Sequence, residues 1–418
     1  MRTELFVSRT GDEFCSARRE DGTTVELRVE GTTSPPRFGR IVKARVSGVV
    51  PALQAAFLDV GRPPNAFLHV SDLLLPGEPP GLDAPIQDRL KEGRELLVQI
   101  SRESVSAKGD RVTCHLGIPG RLLVLLPMLP QVAVSRRIED PGERERLRAI
   151  LEGIGDGQAG FVARTAANGS EPSHLEAEAT RLLETWWAIR DRAGGARPPA
   201  VVHEEPALHL RLLRDAPADG FDRMVLDDRE AHEQALALVG QVDPLASSRI
   251  ELHAGRRTLF ETYGLEQEVE GALCPRVWLD SGGTIVIEPT EALVSIDVNS
   301  GKSVRGVSPE DIALETNLEA AREIARQIRL RDLGGIVVID FIDLALEDHR
   351  RQLLEAMEDA LRADPARTQI VGLSEIGLLQ LTRERTRSNP ALALTRPCPS
   401  CAGQGRVART GLSGSSDE

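Results

Sequence analysis

Three groups of residues have the types and spacing of chemical machinery. The first is acidic: Asp297 and Asn299 stand two apart in the run 292–299, and Asp340 and Asp343 close the apolar run 336–343. Alternation along a strand puts Asp297 and Asn299 on one face. An isolated ionised Asp there is costly unless it meets a cation or hydrogen-bond donors. Two acidic strand positions about forty residues apart, one beside an Asn, suit Mg²⁺, which takes one or two carboxylates and keeps several waters. Such an ion activates water for attack on a phosphodiester. The blander alternative is that both aspartates cap turns or pair with Arg329 or Arg331, because ion-pair networks also perturb carboxylates.

The second group is Cys398-Pro399-Ser400-Cys401, followed by Gly403 and Gly405, which is half of a tetrahedral zinc site. Cys15, Cys114 and Cys274 are isolated, so a second protomer's pair is the simplest completion. A redox CxxC would open a helix in a thioredoxin-like unit, whereas glycines and a polar tail follow here.

The third group would handle a polyanion. Phe57 shares a strand face with Asp59, and Phe67 with Asn65 and His69, each opposite apolar neighbours. In a chain that is 3% aromatic, two outward phenylalanines suit base stacking, which contributes ~1–3 kcal/mol per base. Cover by another subdomain is the competing reading. Arg164-Thr165 ends the glycine-flanked strand 157–166, and a guanidinium fork plus a hydroxyl is chemistry for a terminal phosphate. Taken alone, that pair reads as a solvated turn.

The elements that must carry these groups are legible. Residues 1 to about 35 are short strands closed by Ser34-Pro35-Pro36, and residues 39 to about 118 repeat β-rich segments at the spacing of a small oligonucleotide-binding barrel. There Val42, Ala44 and Val46 alternate with Lys43, Arg45 and Ser47, giving one apolar and one basic face. A helix capped by Ser173 places Leu175, Ala179, Leu182, Trp186 and Ile189 on one stripe and ends at Gly194-Gly195, before an Arg197-Pro198-Pro199 linker. In the last α/β unit, strands 284–288 and 292–299 flank a Pro289-Thr290 turn. Ser308 and Pro309 start a helix with Leu314, Leu318, Ala321, Ala325 and Ile328 as its stripe, which Gly334-Gly335 stops before strand 336–343.

The 418 residues suggest about three domains, and 41% apolar with 28% charged residues excludes disordered, collagenous and mucin-like classes. No run approaches a membrane helix and no signal-peptide core follows Met1, so the chain is expected to be cytoplasmic. Five scattered cysteines do not suit a secreted disulfide scaffold. A net charge of −13 means that nucleic acid must be met by local basic patches.

The runs 295–301, 316–321, 323–335 and 339–343 closely resemble the endoribonucleases of the ribonuclease E/G family, and 347–351 and 381–387 resemble its ribonuclease G branch. The resemblance extends from the N-terminus to about Arg406. It implies a multidomain α/β chain: an RNase H-like subdomain (1–36 and 205–272) interrupted by an S1 (OB-fold) β-barrel (37–118), a 5′-sensor subdomain (119–204), a DNase I-like catalytic subdomain (273–393), a zinc-link (394–408) and a disordered tail (409–418). By resemblance, Asp297 and Asp340 hold Mg²⁺, Asn299 orients Asp297, and Asp343 is not a ligand. Phe57, Phe67 and Lys108 contact RNA, and Arg102 stands where relatives carry lysine. Arg164 and Thr165, supported by Arg367, hold a 5′-monophosphate, while Cys398 and Cys401 share Zn²⁺ between two protomers. The implied activity is Mg²⁺-dependent cleavage of AU-rich single-stranded RNA to 5′-phosphate and 3′-hydroxyl ends, in rRNA maturation and mRNA decay.

Two departures qualify this. The chain stops at Glu418, before the family's small tetramer-forming domain and without the degradosome scaffold arm of ribonuclease E, so a homodimer is expected. Residues 32–36 replace a more charged stretch. The competing function is a non-catalytic S1-type RNA-binding or chaperone protein, which would have no need of carboxylates beside phosphates. A DNA nuclease is disfavoured by resemblance only.

Overall fold

The structure is a computed structural model that describes all residues except 1, 33–35, 79–83, 105–108, 155–158, 217–219, 243, 291, 302–307, 375, 385–389, 397 and 402–418. It divides into two compact units, one of residues 1–24 and 30–265, the other of residues 25–29 and 266–418.

The first unit opens with β1 (Thr3–Thr10) and β2 (Glu13–Glu20); β3 (Thr23–Gly31) follows, and its residues 25–29 group with the second unit. Next come β4 (Ile41–Val50), β5 (Ala55–Asp59), β6 (Ala66–His69), a short helix α1 (Ile86–Arg89), β7 (Glu95–Arg102) and β8 (Arg111–Thr113). These strands run β4-β5-β6-β8-β7, and β4 pairs with β7, so five strands close into a barrel with no free edge among them. The alternation read in the sequence sorts the faces: Val42, Ala44, Val46, Ala56, Leu58, Ala66, Leu68, Val98, Ile100 and Val112 fill the interior. The outer face is less basic than expected, because Glu95 lies 3.1 Å from Lys43 Nζ, which also donates to the Ala196 carbonyl at 3.0 Å.

Beyond the barrel, β9 (Ile118–Pro119), β10 (Leu123–Leu126), β11 (Val132–Val134) and β12 (Gly160–Ala163) form a sheet in the order β11-β12-β10-β9. It packs with α2 (Pro141–Ile154) and α3 (Pro172–Gly195). Helix α3 begins one residue before Ser173, with Glu171 at the N-cap, because Pro172 carries the fixed φ suited to the first helical position. Its stripe is buried as expected, together with Glu178, whose carboxylate accepts the backbone amides of Arg121, Leu122 and Leu123 at 2.9, 2.6 and 2.7 Å. β13 (Ala200–His203) adds to β4, and α4 (Leu208–Arg214), β14 (Arg223–Leu226), α5 (Arg229–Val242), β15 (Ile250–Leu252) and α6 (Leu259–Tyr263) complete the unit. β14 pairs in parallel with both β1 and β15, and its pairing with β1 joins chain segments over two hundred residues apart.

After α7 (Leu265–Leu273), the second unit is a six-stranded sheet of β16 (Arg276–Trp278), β17 (Thr284–Pro289), β18 (Leu293–Asn299), β19 (Gly335–Asp340), β20 (Thr368–Leu373) and β21 (Leu378–Arg383), ordered β16-β17-β18-β19-β21-β20. One face packs against α8 (Pro309–Leu330) and α9 (Glu347–Leu361); α10 (Pro390–Leu394) follows. Ser308 caps α8 through the Asp311 amide at 3.1 Å, as expected, and Ala321, Ala325 and Ile328 of the expected stripe are buried, but the buried face is shifted toward Ala313, Asn317, Ala320 and Ile324, leaving Leu314 and Leu318 half-buried. Helix α8 also ends earlier than Gly334-Gly335. Asp332 takes a positive φ of 47°, and Arg383 pins that turn by donating to Asp332 Oδ1 at 2.7 Å and to the Leu333 carbonyl at 3.1 Å. No helix among the described residues is long and apolar enough to cross a membrane.

Candidate functional site

The second unit's sheet places the acidic group. β18 and β19 are parallel neighbours joined through α8, and their register sets Asp297 directly opposite Asp340. Inward Val294, Ile296 and Val298 of β18, and Val337 and Ile339 of β19, are buried against the helices. Alternation therefore forces both aspartates and Asn299 onto the uncovered face, where all three are exposed. Asn299 Nδ2 donates to Asp297 Oδ2 at 2.6 Å, which ties down one carboxylate oxygen. Adjacent strands lie about 4.8 Å apart, so two carboxylates share one small site. Among the described residues no Arg or Lys pairs with either, and Arg331 is instead bound to Gln327 Oε1 at 2.6 Å. The ion-pair alternative for these aspartates is not realised.

β19 ends at Asp340, earlier than the run to Asp343 suggested. The reason is Asn317, fully buried on α8: its Nδ2 donates to the Ile342 carbonyl at 2.7 Å and its Oδ1 accepts the Ile342 amide at 3.0 Å. That amide clamp takes the backbone groups a sheet partner would need and turns the chain away just past Asp340. Asp343 is left exposed beyond the strand, off the Asp297–Asp340 row. Sequence reading missed Asn317; a buried Asn on an apolar helix face is the signal that marks it. Glu310, at the start of α8, accepts the amides of Ala345 and Leu346 at 3.0 and 3.1 Å and contacts His349 Nδ1 at 3.0 Å. Those amides, then His349, hold its carboxyl below the usual range. Among the described residues no group of three or more His, Cys, Asp or Glu is gathered around a metal-sized point. Two carboxylates are the donor set that remains.

On the barrel, Phe57 and Phe67 are opposite one another across β5 and β6, with ring centroids 6.0 Å apart and planes at 69°. Both are half-buried on the outer face, beside Ser47, which donates to the Phe57 carbonyl at 3.0 Å and accepts from Asn65 at 2.7 Å. Arg111 lies next to Phe67 in register and is paired with Asp72 at 2.7 Å. Arg102, at the end of β7, is exposed, and Lys108 lies outside the described residues.

Arg164 follows β12, where Gly160 is obligatory because a Cβ there would stand 2.2 Å from the Gln131 carbonyl oxygen. Its guanidinium is held twice, by the Gly120 carbonyl and by Asp215 Oδ1 at 2.9 Å, and Thr165 Oγ1 lies 3.2 Å from Ser135 Oγ. Asp215 also pairs with Arg214. Burial pushes its carboxyl up, but Arg214 and then Arg164 outweigh burial and leave it below the ordinary range. Arg367 is exposed just before β20 in the second unit. Cys398 is exposed and Cys401 half-exposed, and the amides of Ser400 and Cys401 lower the Cys398 thiol.

Comparison with known proteins covers this whole arrangement. A sequence profile of the Ribonuclease E/G family matches residues 117–386. Ribonuclease G of Salmonella typhimurium (strain SL1344) is 38% identical over 414 residues, 97% of this chain and 85% of the relative. Ribonuclease G of Escherichia coli (strain K12) is 37% identical over the same shares, and ribonuclease E of that strain is 36% identical over 96% of this chain but only 39% of its own length. A family profile over residues 117–386 and relatives 37–38% identical over 97% of this chain mean that the chain belongs to the ribonuclease E/G family.

Proposed function

We propose that this chain is a Mg²⁺-dependent, single-strand-specific endoribonuclease of ribonuclease G type, leaving 5′-phosphate and 3′-hydroxyl ends in rRNA maturation and mRNA decay. The observation that carries the reading is the Asp297–Asp340 pair, opposed on adjacent parallel strands, exposed, and steadied by Asn299. Two hard oxygen donors one strand apart, neither ion-paired to an Arg or Lys among the described residues, fit Mg²⁺, which keeps its remaining positions for water and phosphate. When bound there, Mg²⁺ supplies charge neutralisation at the scissile phosphate and an acidified water. The protein's own part is to position. Asn299 leaves one Asp297 oxygen free to face the ion, and Asn317 fixes the chain after Asp340. Phe57 and Phe67 hold unpaired bases by stacking, which selects single strands because paired bases do not present their faces.

Arg164 and Thr165, with Arg367, are assigned to the 5′-monophosphate, and Cys398 and Cys401 to a Cys₄ zinc shared by two protomers. The subdomain reading is retained as part of the proposal: an S1 barrel within an RNase H-like frame, a 5′-sensor, and a DNase I-like catalytic part.

The test is end-group analysis of a 5′-monophosphorylated single-stranded RNA incubated with protein and Mg²⁺. New 5′-phosphate and 3′-hydroxyl ends are expected. Cyclic 2′,3′-phosphate ends would overturn the hydrolytic reading, and RNA bound but uncut would leave a non-catalytic binder. With a 5′-hydroxyl substrate alongside, Arg164→Ala should slow only the monophosphorylated one; zinc analysis should find one ion per two chains, and the double Ser variant at Cys398 and Cys401 should sediment as monomer.

A further inference from the structure

The edge strand β16 has no part in the reading above, yet it continues the same rows of the sheet. Register links Arg276, Val286, Asp297 and Asp340 in one row, and Trp278, Thr284 and Asn299 in the next. Directly opposed residues of a ladder point to one face. Arg276 and Trp278 therefore share the face of the carboxylate pair, while Val277 between them packs toward the core. Trp278 is 69% exposed, an unusual outlay of apolar surface for a chain with three tryptophans. Two strand spacings, roughly 10 Å, separate its column from that of Asn299.

The hairpin that carries Trp278 is anchored rather than loose. Glu319 of α8 accepts the Asp280 amide at 2.5 Å, and the Leu279 amide donates to the Gly283 carbonyl at 2.9 Å. Gly283 is so close to β18 that a Cβ would stand 2.8 Å from the Asn299 carbonyl oxygen. The indole is thus held at a set distance from the residue that steadies Asp297. The Arg276 guanidinium makes no ion pair or hydrogen bond among the described residues. An exposed aromatic and a free cation interleaved on one edge are what a single-stranded nucleic acid requires, a ring for a base and a charge for a phosphate. The free guanidinium also offsets the repulsion between the aspartates and an incoming phosphate.

We infer that β16 extends the RNA track beyond the carboxylate pair, with Trp278 stacking on a base that flanks the cut and Arg276 meeting a neighbouring phosphate. The inference rests on the assignment of Asp297 and Asp340 as the cleavage site. It is tested in the full chain carrying Trp187→Phe, which removes the other exposed indole and leaves Trp186 buried. Titration with a ten-nucleotide oligouridylate in magnesium-free buffer should quench Trp278 emission saturably. In cleavage assays Trp278→Ala should raise KM about fivefold to a hundredfold with kcat nearly unchanged, and Trp278→Phe should recover most of that loss. Arg276→Gln should reduce the salt dependence of KM by a log–log slope of about 0.7, one phosphate contact to a single strand.

Emission insensitive to RNA together with an unchanged KM for Trp278→Ala would overturn the track. Emission that changes on protein dilution but not with RNA would overturn it too, and would assign the face to a second copy of the chain. Asp297→Asn separates the two readings: normal cleavage by that variant, with Trp278 still quenched by RNA, would remove the carboxylate assignment and leave the RNA contact standing.

Discussion

In the barrel, Phe57 faces Phe67 across an antiparallel ladder, and in the six-stranded sheet, Asp297 faces Asp340 across a parallel one. Both pairs occupy the outer face of strands whose inner face is core, yet their physics is opposite. The rings meet edge to face at 6.0 Å and shelter each other from water, so the barrel's pair is in place before any ligand arrives. The carboxylates repel, and only one of them has an amide to lean on. The barrel pair is therefore self-consistent alone, whereas on the proposed reading the sheet pair would be completed by a cation. Connection differs as well. Antiparallel partners sit on one hairpin, but parallel partners need a crossover, here supplied by α8. That helix then carries Asn317 to the end of β19 and Glu319 to the turn before β17.

The difference predicts that damage to the sheet site ruins turnover while damage to the barrel weakens grip. Asp340→Asn removes one of two anionic ligands, several kcal/mol of charge stabilisation, and should cut kcat about 10³-fold or more while gel-shift affinity for RNA barely changes. Near-normal turnover would break the comparison at its stronger end. Next comes Asn299→Ala, which frees Asp297 to rotate without removing a ligand; a loss of activity of about 10- to 100-fold is expected, recovered in part at high Mg²⁺. If added Mg²⁺ has no effect, Asn299 acts on something other than the carboxylate.

On the barrel, Phe57→Ala or Phe67→Ala should raise KM about tenfold, one lost stacked base, with kcat preserved. Because the rings touch, the double variant should lose less than the sum of the singles; strict additivity would mean that they hold separate bases independently. The smallest effect concerns pH. A carboxyl held low, as Asp215 is by Arg214 and Arg164 against the upward push of burial, keeps its contribution everywhere above its unfolded value near 4 and loses it only as pH falls through the folded value. The Asp215–Arg164 pair is thus constant near neutrality. A 5′-phosphate, in contrast, has a second ionisation near pH 6, so preference for 5′-monophosphorylated over 5′-hydroxyl RNA should fall severalfold between about pH 7.5 and about pH 5.5. A preference flat across that range would argue against a dianion on Arg164.

Much of this was visible along the chain because it depends on local periodicity. Alternation of apolar and polar residues put Asp297 beside Asn299 and turned Phe57 and Phe67 outward; Ser308-Pro309 marked the start of α8; Leu175, Ala179, Leu182, Trp186 and Ile189 marked the buried face of α3. Strand and helix periods are properties of a few consecutive residues, so one sequence suffices to read them. Three-dimensional packing settled the rest. The register that opposes Asp297 to Asp340, the rotation of α8 onto Ala313, Asn317 and Ala320, and the early end of β19 at the Asn317 clamp all depend on partners far along the chain. So does the capture of Arg164 by Asp215 and Gly120, and the alignment of Trp278 with Asn299 through Thr284. A residue's own type says that it can donate, accept or stack; which group it meets is decided only when distant segments pack and each buried polar group must find a partner.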